Sequence, residues 1–140
     1  MWEYEHAVET TADPAALWRY WADVTTWTQW NTGVREVSID GPFAAGTSFT
    51  MTGPDGEPIR MTLTDVVPGE RFTDVMDGGD VVVVTTVHRL EPIGAGRTKV
   101  VYRTEISGAA ADEVGPELGP AITADFPEVL DSLVAVAEAG

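Results

Sequence analysis

The sequence has no cysteine, which excludes disulfide bonds, thiolate catalysis and any zinc or iron–sulfur site with cysteine ligands. It also has few basic residues, eight Lys and Arg against 23 Asp and Glu, so the formal net charge is −15. A field of this sign repels phosphate backbones and anionic lipid headgroups. We therefore expect no nucleic acid and no membrane among the partners of this protein.

Long apolar segments are also missing. Uninterrupted apolar runs, such as Val81–Val84, are far shorter than the roughly 20 residues that cross a bilayer. Residues 1–5 lack the basic and apolar regions of a secretory signal, so the chain is predicted to be cytoplasmic. One lysine beside seven arginines is typical of a GC-rich bacterial genome.

The rest of the composition is typical of a globular protein. The chain has 140 residues, of which 44% are apolar, and a domain of that size buries roughly 70% of its unfolded surface. No linker, internal repeat or low-complexity block divides it. We expect one domain over residues 1–140, present as a monomer or a weak homodimer.

The first third of the chain predicts a strand followed by two short helices. Residues 2–9 alternate between apolar or aromatic side chains and mostly acidic ones, a period of two that indicates a strand. Asp13-Pro14 is typical of a helix N-cap followed by proline at the first helical position. A second short helical turn is predicted over residues 23–30.

The middle of the chain reads as a meander. Turn sequences rich in glycine and proline, among them Asp77-Gly78-Gly79 and Gly94-Ala95-Gly96, separate short β-like segments. Because the connections are short, successive strands are expected to pair as antiparallel neighbours. The predicted strands cover residues 34–39, 47–52, 59–67, 71–76, 80–90 and 97–107.

The C-terminal segment predicts a helix that lies on the sheet. A helix is expected to begin near Pro120, whereas residues 109–119 read as a segment broken by Pro116. Pro127 predicts a kink or break near Asp125. The order of elements favours an α+β fold in which an antiparallel sheet wraps around a long helix and closes over an apolar cavity. The apolar stripe of this helix is Ile122, Phe126, Val129, Leu130, Leu133 and either Val136 or Ala137.

Five motifs of turn and packing residues extend over nearly the whole chain. The motifs are Asp13-Pro14-Ala15-Ala16-Leu17-Trp18, Trp27-Thr28-Gln29-Trp30-Asn31, Gly41-Pro42-Phe43-Ala44-Ala45-Gly46-Thr47, Val66-Val67-Pro68-Gly69-Glu70-Arg71-Phe72 and Gly96-Arg97-Thr98 leading to Ser107-Gly108. They resemble the START-like (Bet v 1-like, helix-grip) superfamily, and most closely the bacterial polyketide cyclase/dehydrase group of small SRPBCC proteins. The resemblance implies a seven-stranded sheet that grips the C-terminal helix, two short helices after strand one, and a deep cavity for a hydrophobic small molecule. Members include aromatase/cyclases, other natural-product enzymes and lipid or ligand carriers.

Candidate catalytic residues lie on the predicted inner face of the last two strands. A hairpin that turns near Gly94 would place His88 opposite Val100. It would also place Thr86 opposite Tyr102, which makes Tyr102 a diagonal neighbour of His88. A neutral or protonated imidazole beside a phenol suits proton transfer to or from a substrate carbon or hydroxyl.

Two further residues complete the predicted catalytic set. His6 belongs to the inner face of strand one, so both histidines of the chain are expected to face one cavity. The alternative is that each histidine is a satisfied core or cavity-mouth residue. Asp74 points inward if Phe72 does, and its buried carboxyl would then orient or protonate a histidine. The opposite phase of that strand, with residues 73 and 75 inward, is nearly as well supported.

The sequence predicts no metal or cofactor site, because histidine and carboxylate spacings match no local ligand motif. Arg60 and Arg71 are expected to face solvent. The resemblance implies a cavity arginine and tyrosine in aromatase/cyclases, and no arginine can be placed in this pocket. The predicted ligand-binding residues are Tyr4, Trp27, Trp30, Phe49, Met51, Met61, Leu63, Phe72, Val84, Thr86, Thr104, Ile122, Phe126 and Leu130.

These observations favour an enzyme of natural-product metabolism. It would bind a polyketide-like or lipid-like molecule and act as a metal-free cyclase or dehydratase through His6, His88, Tyr102 and Asp74. The alternative function is a carrier or sensor that binds a hydrophobic ligand without transforming it.

Overall fold

The computed structural model describes residues 1–77 and 81–139, and of Asp77 the backbone alone. Over these residues the chain forms a sheet and two groups of helices, with a 3₁₀ turn at Val24–Thr26 between the first two helices. The elements are β1 (Trp2–Thr10), α1 (Pro14–Ala22), α2 (Trp27–Trp30), β2 (Glu36–Ile39), β3 (Ser48–Thr52), β4 (Pro58–Val67), β5 (Arg71–Asp77), β6 (Val83–Gly94), β7 (Arg97–Ser107), α3 (Ala111–Thr123) and α4 (Phe126–Ala139).

The seven strands form one antiparallel sheet in the order β1-β7-β6-β5-β4-β3-β2. Strands β2 to β7 follow one another as hairpin neighbours. Strand β1 pairs with β7 and forms one edge of the sheet. The predicted α+β fold is therefore confirmed, with the sheet packed against the C-terminal helices and two short helices after strand one. Most strands begin and end within two residues of their predicted limits.

The start of the first helix follows its sequence signal. Asp13 is the N-cap of α1, and its carboxylate accepts a hydrogen bond of 2.9 Å from the amide of Ala15. Pro14 occupies the first helical position. An N–H at this position would have no partner within the helix, so its absence in proline costs no hydrogen bond. Asp23 caps the following 3₁₀ turn in the same way, through the amide of Thr25 at 3.1 Å.

Strand β6 is longer at its end than predicted. Ala95 and Gly96 form a two-residue turn in which both have positive φ, 54° and 71°, so that Gly94 pairs with Arg97. The register shifts between Pro92 and Gly94, which suits a proline that cannot donate to the ladder. The predicted start of this strand at Asp80 and the turn residues 78–79 lie outside the described residues.

This turn corrects the predicted register of the hairpin. His88 lies directly opposite Tyr102, and not opposite Val100. Thr86 lies opposite Thr104, and the two hydroxyls are hydrogen-bonded at 2.9 Å. The imidazole and the phenol are therefore closer than the diagonal arrangement predicted, with ring centroids 4.5 Å apart.

Helix α3 covers a segment that the sequence predicted to be broken, so that prediction was wrong. It contains Pro116 and Pro120, each preceded by a glycine. A residue before proline avoids the α conformation mainly because its Cβ meets the proline ring, and Gly115 and Gly119 have no Cβ. The indole of Trp2 packs directly on these two glycines.

Helix α4 lies in the concave face of the sheet and supplies much of the core. Val129, Leu130 and Leu133 are buried there against residues of α1 and of the sheet. The chain breaks between α3 and α4 at Ala124 and Asp125, which confirms the break predicted from Pro127. Beyond this end of α4 the sheet is not filled by the helix, and the cavity described below begins.

Gly119→Ala tests the contact between α3 and Trp2. In an ordinary helix this change stabilises by up to about 1 kcal/mol. Here the new Cβ would lie 2.4 Å from Trp2 Cε2. We expect urea denaturation to show a loss of about 1–3 kcal/mol in the free energy of unfolding, as in overpacked cores.

The double variant separates packing from helix propensity. In a Trp2→Ala background the same change should cost less, because the obstructing ring is gone and only the clash between the new Cβ and the ring of Pro120 remains. Equal destabilisation in both backgrounds would show that the contact with Trp2 is not the cause.

Candidate active site

A cavity of about 670 Å³ lies between the inner face of the sheet and the C-terminal helices. Its inner end is formed by residues of β5 to β7, including Phe72 and Val84. Three segments form its mouth at the surface: the loop 31–34 after α2, the β3–β4 turn at 53–55, and the joint 121–125 between α3 and α4.

Nine of the predicted ligand-binding residues line this cavity. They come from α2 and from six further elements, β3 to β6, α3 and α4, and they are mainly apolar, as a hydrophobic ligand requires. These nine are Trp27, Trp30, Met51, Met61, Phe72, Val84, Thr86, Ile122 and Phe126.

The other five do not line it, which corrects the prediction. Four of them have no exposed surface and belong to the interior, while Tyr4 packs on Phe126 with ring centroids 6.2 Å apart. The alternation along a strand predicts which side chains face inward. It does not predict whether an inward side chain meets the packed helix or the open cavity. The five residues are Tyr4, Phe49, Leu63, Thr104 and Leu130.

Three of the four predicted catalytic residues meet in the cavity. Asp74, His88 and Tyr102 lie on the neighbouring strands β5, β6 and β7, and they are only 4%, 8% and 5% exposed. Asp74 Oδ2 is 4.0 Å from His88 Nε2. Of the two phases left open for β5, the structure has the one with Phe72 and Asp74 towards the cavity.

The hydrogen bond at Nδ1 fixes the state of the His88 ring. Nδ1 lies 3.2 Å from the carbonyl oxygen of Phe72. A carbonyl can only accept, so Nδ1 carries the proton and donates it. In the neutral ring Nε2 is therefore unprotonated, and its lone pair is on the side of Asp74. The Phe72 ring stacks on the imidazole at 3.9 Å and 5°, which holds the ring plane.

Burial sets the protonation states of the pair. Desolvation lowers the pKa of His88 to about 3, against the opposing effect of the bond to Phe72. Desolvation also raises the pKa of Asp74 to about 8. Near neutral pH the site therefore holds a protonated carboxylic acid beside an unprotonated imidazole nitrogen, one proton donor and one proton acceptor.

Tyr102 supplies a second donor. The indole Nε1 of Trp21 donates to the phenol oxygen at 3.2 Å, which leaves the O–H of Tyr102 available to another acceptor. Desolvation raises the pKa of Tyr102 well above its usual range, the bond from Trp21 opposes this, and the negative charges of Asp74 and Asp125 add to the rise. The phenol thus stays protonated at any ordinary pH.

His6 lies on the same face of the sheet but away from the cavity. It pairs with Tyr102 across β1 and β7, on the side opposite His88. Among the residues that the structure describes, the cavity lining does not include His6. The prediction that both histidines face one cavity was therefore wrong. The reason is that β1 is an edge strand, and α3 and α4 pack over it.

Asp125 is a lining residue that the sequence analysis used only as the marker of a helix break. Its Oδ2 lies against Gly33, where a Cβ would be 2.6 Å away. The Gly33 amide donates to Asn31 Oδ1 at 2.9 Å, which shapes the loop around this carboxyl. Desolvation raises the pKa of Asp125, although a hydrogen bond with its own backbone opposes the rise. An acid at a helix break beside an apolar stripe is the signal that could have identified it.

Two features are absent from residues 1–77 and 81–139, a cluster of metal ligands and a membrane-spanning helix. No three His, Cys, Asp or Glu side chains of these ranges are grouped as they would be around a metal ion. No helix within the same ranges has the length and apolar character needed to traverse a bilayer.

Comparison with known families now adds to this geometry. A family model described as polyketide cyclase/dehydrase and lipid transport matches residues 1–138. The chain belongs to this family. The START-like (SRPBCC) resemblance read from the sequence is thereby confirmed. Among curated proteins, no sequence matches this one significantly.

Several solved structures share the fold at low identity. Norcoclaurine synthase from Thalictrum flavum, in complex with dopamine and hydroxybenzaldehyde, has a TM-score of 0.75 at 16% identity over 96% of this chain and 84% of its own. The Zhui aromatase/cyclase from Streptomyces sp. R1128 has 0.75 at 19%, over 97% and 93%. The di-domain ARO/CYC BexL has 0.78 at 16%, over 99% and 47%. At these identities the likeness shows a shared fold alone.

Asp74→Asn tests the protonation state of the buried acid. In the folded state this carboxyl has a pKa of about 8, above its unfolded value of 3.8, so the wild type should lose stability as pH rises between these values. Each pKa unit corresponds to about 1.4 kcal/mol. The asparagine variant lacks this titration and should gain about 2–5 kcal/mol on the wild type between about pH 5 and pH 9, by urea unfolding.

Asp131→Asn is the matched control, because Asp131 is exposed on α4 and the change removes the same formal charge. A stability difference between wild type and Asp74→Asn that does not change with pH would mean that Asp74 is ionised in the folded protein.

Proposed function

We propose that this protein is a metal-free enzyme of the cyclase or dehydratase type in natural-product metabolism. It would bind a mostly apolar carbonyl compound in the cavity and move protons between its atoms. The observation that carries the proposal is the pair formed by the protonated Asp74 and the unprotonated Nε2 of His88, 4.0 Å apart in an apolar cavity. A donor and an acceptor so placed are the parts that general acid–base catalysis needs.

Dehydration of a β-hydroxy ketone illustrates the chemistry. His88 Nε2 takes the proton from the carbon between the carbonyl and the hydroxyl-bearing carbon, and the electron pair forms the new C=C bond. The C–O bond breaks, and the Asp74 proton leaves with the hydroxyl as water. The site then holds an imidazolium and a carboxylate. Because Nε2 and the carboxyl oxygen are 4.0 Å apart, the water just formed relays the proton from Nε2 back to the carboxyl. This restores the starting state, so no external acid, base or oxidant is consumed.

Tyr102 supports this reaction by stabilising the enolate. Its phenol oxygen already accepts from Trp21, so its O–H is free to donate to the substrate carbonyl, where negative charge develops. His88 and Tyr102 are directly opposed, with ring centroids 4.5 Å apart, so one carbonyl and its α-carbon can reach both groups.

Membership of a family that includes polyketide cyclases and dehydrases supports the assignment. The fold shared with two proteins named as aromatase/cyclases also supports the assignment, although a shared fold alone does not establish a shared activity. The described lining contains no arginine, which separates this chain from the cavity arginine and tyrosine expected of aromatase/cyclases. The proposal is therefore a cyclase- or dehydratase-like enzyme and not an aromatase.

A carrier or sensor of a hydrophobic ligand is the second candidate. The family description includes lipid transport, and much of the lining is apolar, including Trp27, Met61 and Phe126. Such a lining binds by shape and area, with no requirement for a proton donor and acceptor. The two candidates differ in whether His88 affects turnover or only occupancy.

Exchange of α-protons distinguishes enzyme from carrier without knowledge of the natural substrate. Phenylacetone in D₂O is the probe, and NMR follows the replacement of its α-protons by deuterium. We expect the wild type to exceed the buffer rate and His88→Gln to lose about 100-fold or more of that excess, as for a general base. Affinity for phenylacetone, from tryptophan fluorescence, should stay within about threefold.

His6→Gln is the matched control, since the same change is made on the same face of the sheet but outside the lining. It should leave exchange and affinity unchanged. Exchange that falls equally in both variants would contradict the role of His88. Binding of phenylacetone without exchange above the buffer rate would support the carrier.

The pH dependence of dehydration tests the role of Asp74. The aldol of benzaldehyde and acetone is the probe, and absorbance of the conjugated enone is the readout. Because the proton donor is the acid form of a group with pKa about 8, the rate should be level near neutrality and fall about tenfold per pH unit above about pH 8. A rate that rises through this range would exclude a protonated Asp74 as the donor.

A further inference from the structure

We propose that the ligand of this cavity carries a basic amine, and that Asp125 binds this amine at the cavity mouth. The inference rests on the proposed function in that it takes the cavity to be the ligand site. It adds a specificity-determining residue and a substrate class: apolar molecules with an amino group at the end opposite the reacting carbonyl.

The ionisable groups of the cavity favour a cation over an anion. Among the described lining residues the acidic side chains are Asp55, Asp74 and Asp125, and none of the lining residues is a lysine or an arginine. A carboxylate or phosphate ligand would find no counter-charge there and would meet a negative field in a desolvated space. An ammonium group would find a counter-charge there and would be attracted by the negative field.

The cations of the described residues lie outside the lining of the cavity, and most of the arginines are paired. Five arginines form ion pairs with surface carboxylates, so they are not available to a ligand in the cavity. Arg35 Nη1 lies beside the β3–β4 turn, 3.7 Å from the position that a Cβ on Gly56 would take. The five pairs are Arg60–Asp40, Arg71–Asp65, Arg89–Glu91, Arg97–Glu9 and Arg103–Glu3.

The three acids differ in what they can do. Asp74 is protonated near neutral pH and sits beside His88, where it acts in the reaction. Asp55 is exposed at the rim. Asp125 is partly buried, lines the mouth and lies against Gly33, and its carboxyl takes no part in the proton-transfer pair.

The first turn of α4 offers this carboxyl fewer amide partners than usual, although it keeps a hydrogen bond with its own backbone. Asp125 precedes α4, and its carbonyl accepts from the Val129 amide at 2.9 Å, as an N-cap does. A capping side chain binds the amide of the second or third helical residue. The second residue here is Pro127, which has no N–H. One of the two usual intrahelical partners of the carboxyl is therefore absent.

The aromatic lining suits the same ligand. The indole N–H of Trp27 donates to the carbonyl of Trp21 at 3.0 Å, and that of Trp30 to Thr26 Oγ1 at 3.3 Å. Since both N–H groups are used within the protein, these side chains present ring surface to the cavity. Ring faces accommodate apolar groups and also attract cations.

Three probes that differ only in their polar group test the inference: naphthylmethylamine, naphthylmethanol and naphthoic acid. Calorimetric titration near neutral pH, at physiological salt, should show the amine binding about tenfold or more tightly than the acid, with the alcohol between them. A charge-assisted hydrogen bond is worth about 1.5–3 kcal/mol, a factor of about ten to one hundred in affinity. Asp125→Asn should remove this advantage and leave the affinity for naphthylmethanol within about twofold.

Asp131→Asn controls for the overall charge of −15, since it changes the net charge equally from an exposed position on α4. It should leave the order of the three probes unchanged. Equal affinities for the amine and the alcohol, or equal effects of the two variants, would overturn the inference and leave the proposed function intact. Binding of none of the three probes would overturn it together with the assignment of the cavity as the ligand site.

Discussion

The width of the sheet is the constraint on which the rest of the molecule depends. Seven strands about 4.8 Å apart give a sheet about 30 Å wide, whereas a helix with its side chains is about 10 Å across. One helix in the concave face can therefore bury only part of that face. Where α4 covers the sheet, residues such as Leu130 and Leu133 form a close-packed core. Where it ends, at the break before Phe126, the same face opens into the cavity.

The polar residues of the cavity follow from this arrangement and from the pairing of the strands. The bond from His88 to the Phe72 carbonyl joins a side chain of β6 to the backbone of β5, so the imidazole is oriented by the sheet itself. Asp74 is placed two residues along the same strand as that carbonyl. Removal of water raises the proton affinity of the carboxylate and lowers that of the imidazole, so the proton rests on oxygen while the lone pair stays on nitrogen. A cavity that contained more water would not keep the proton on the Asp74 carboxyl and the lone pair on the His88 nitrogen.

Much of the fold could be predicted because the signals were local. The alternation along β1, the cap at Asp13 and the turn sequences between strands each act within a few residues of the feature they determine. The inward direction of His88 and Tyr102 followed from the same alternation. The register between them did not, because it depends on positive φ at Ala95, a conformation uncommon for a residue other than glycine. The signal for helix α3 is ambiguous, because its two prolines argue against a helix and only the glycines before them make one possible.

The site was harder to predict than the fold because it depends on what covers each inward residue. His6 and Tyr102 are paired neighbours with the same orientation, yet only Tyr102 lines the cavity. Asp125 enters the cavity from a joint between helices, where no periodicity applies.

The two Gly-Pro steps of α3 also affect how stability is distributed over the molecule. Each proline removes one N–H from the helical ladder, so the carbonyls of Asp112 and Pro116 lack their usual donor four residues on. The indole of Trp2 packs on α3 at these same two steps, so a tertiary contact supports the helix where its own ladder is interrupted. Opening of this segment requires no strand of the sheet to separate from its neighbour, so we expect its free energy of opening to lie below that of global unfolding.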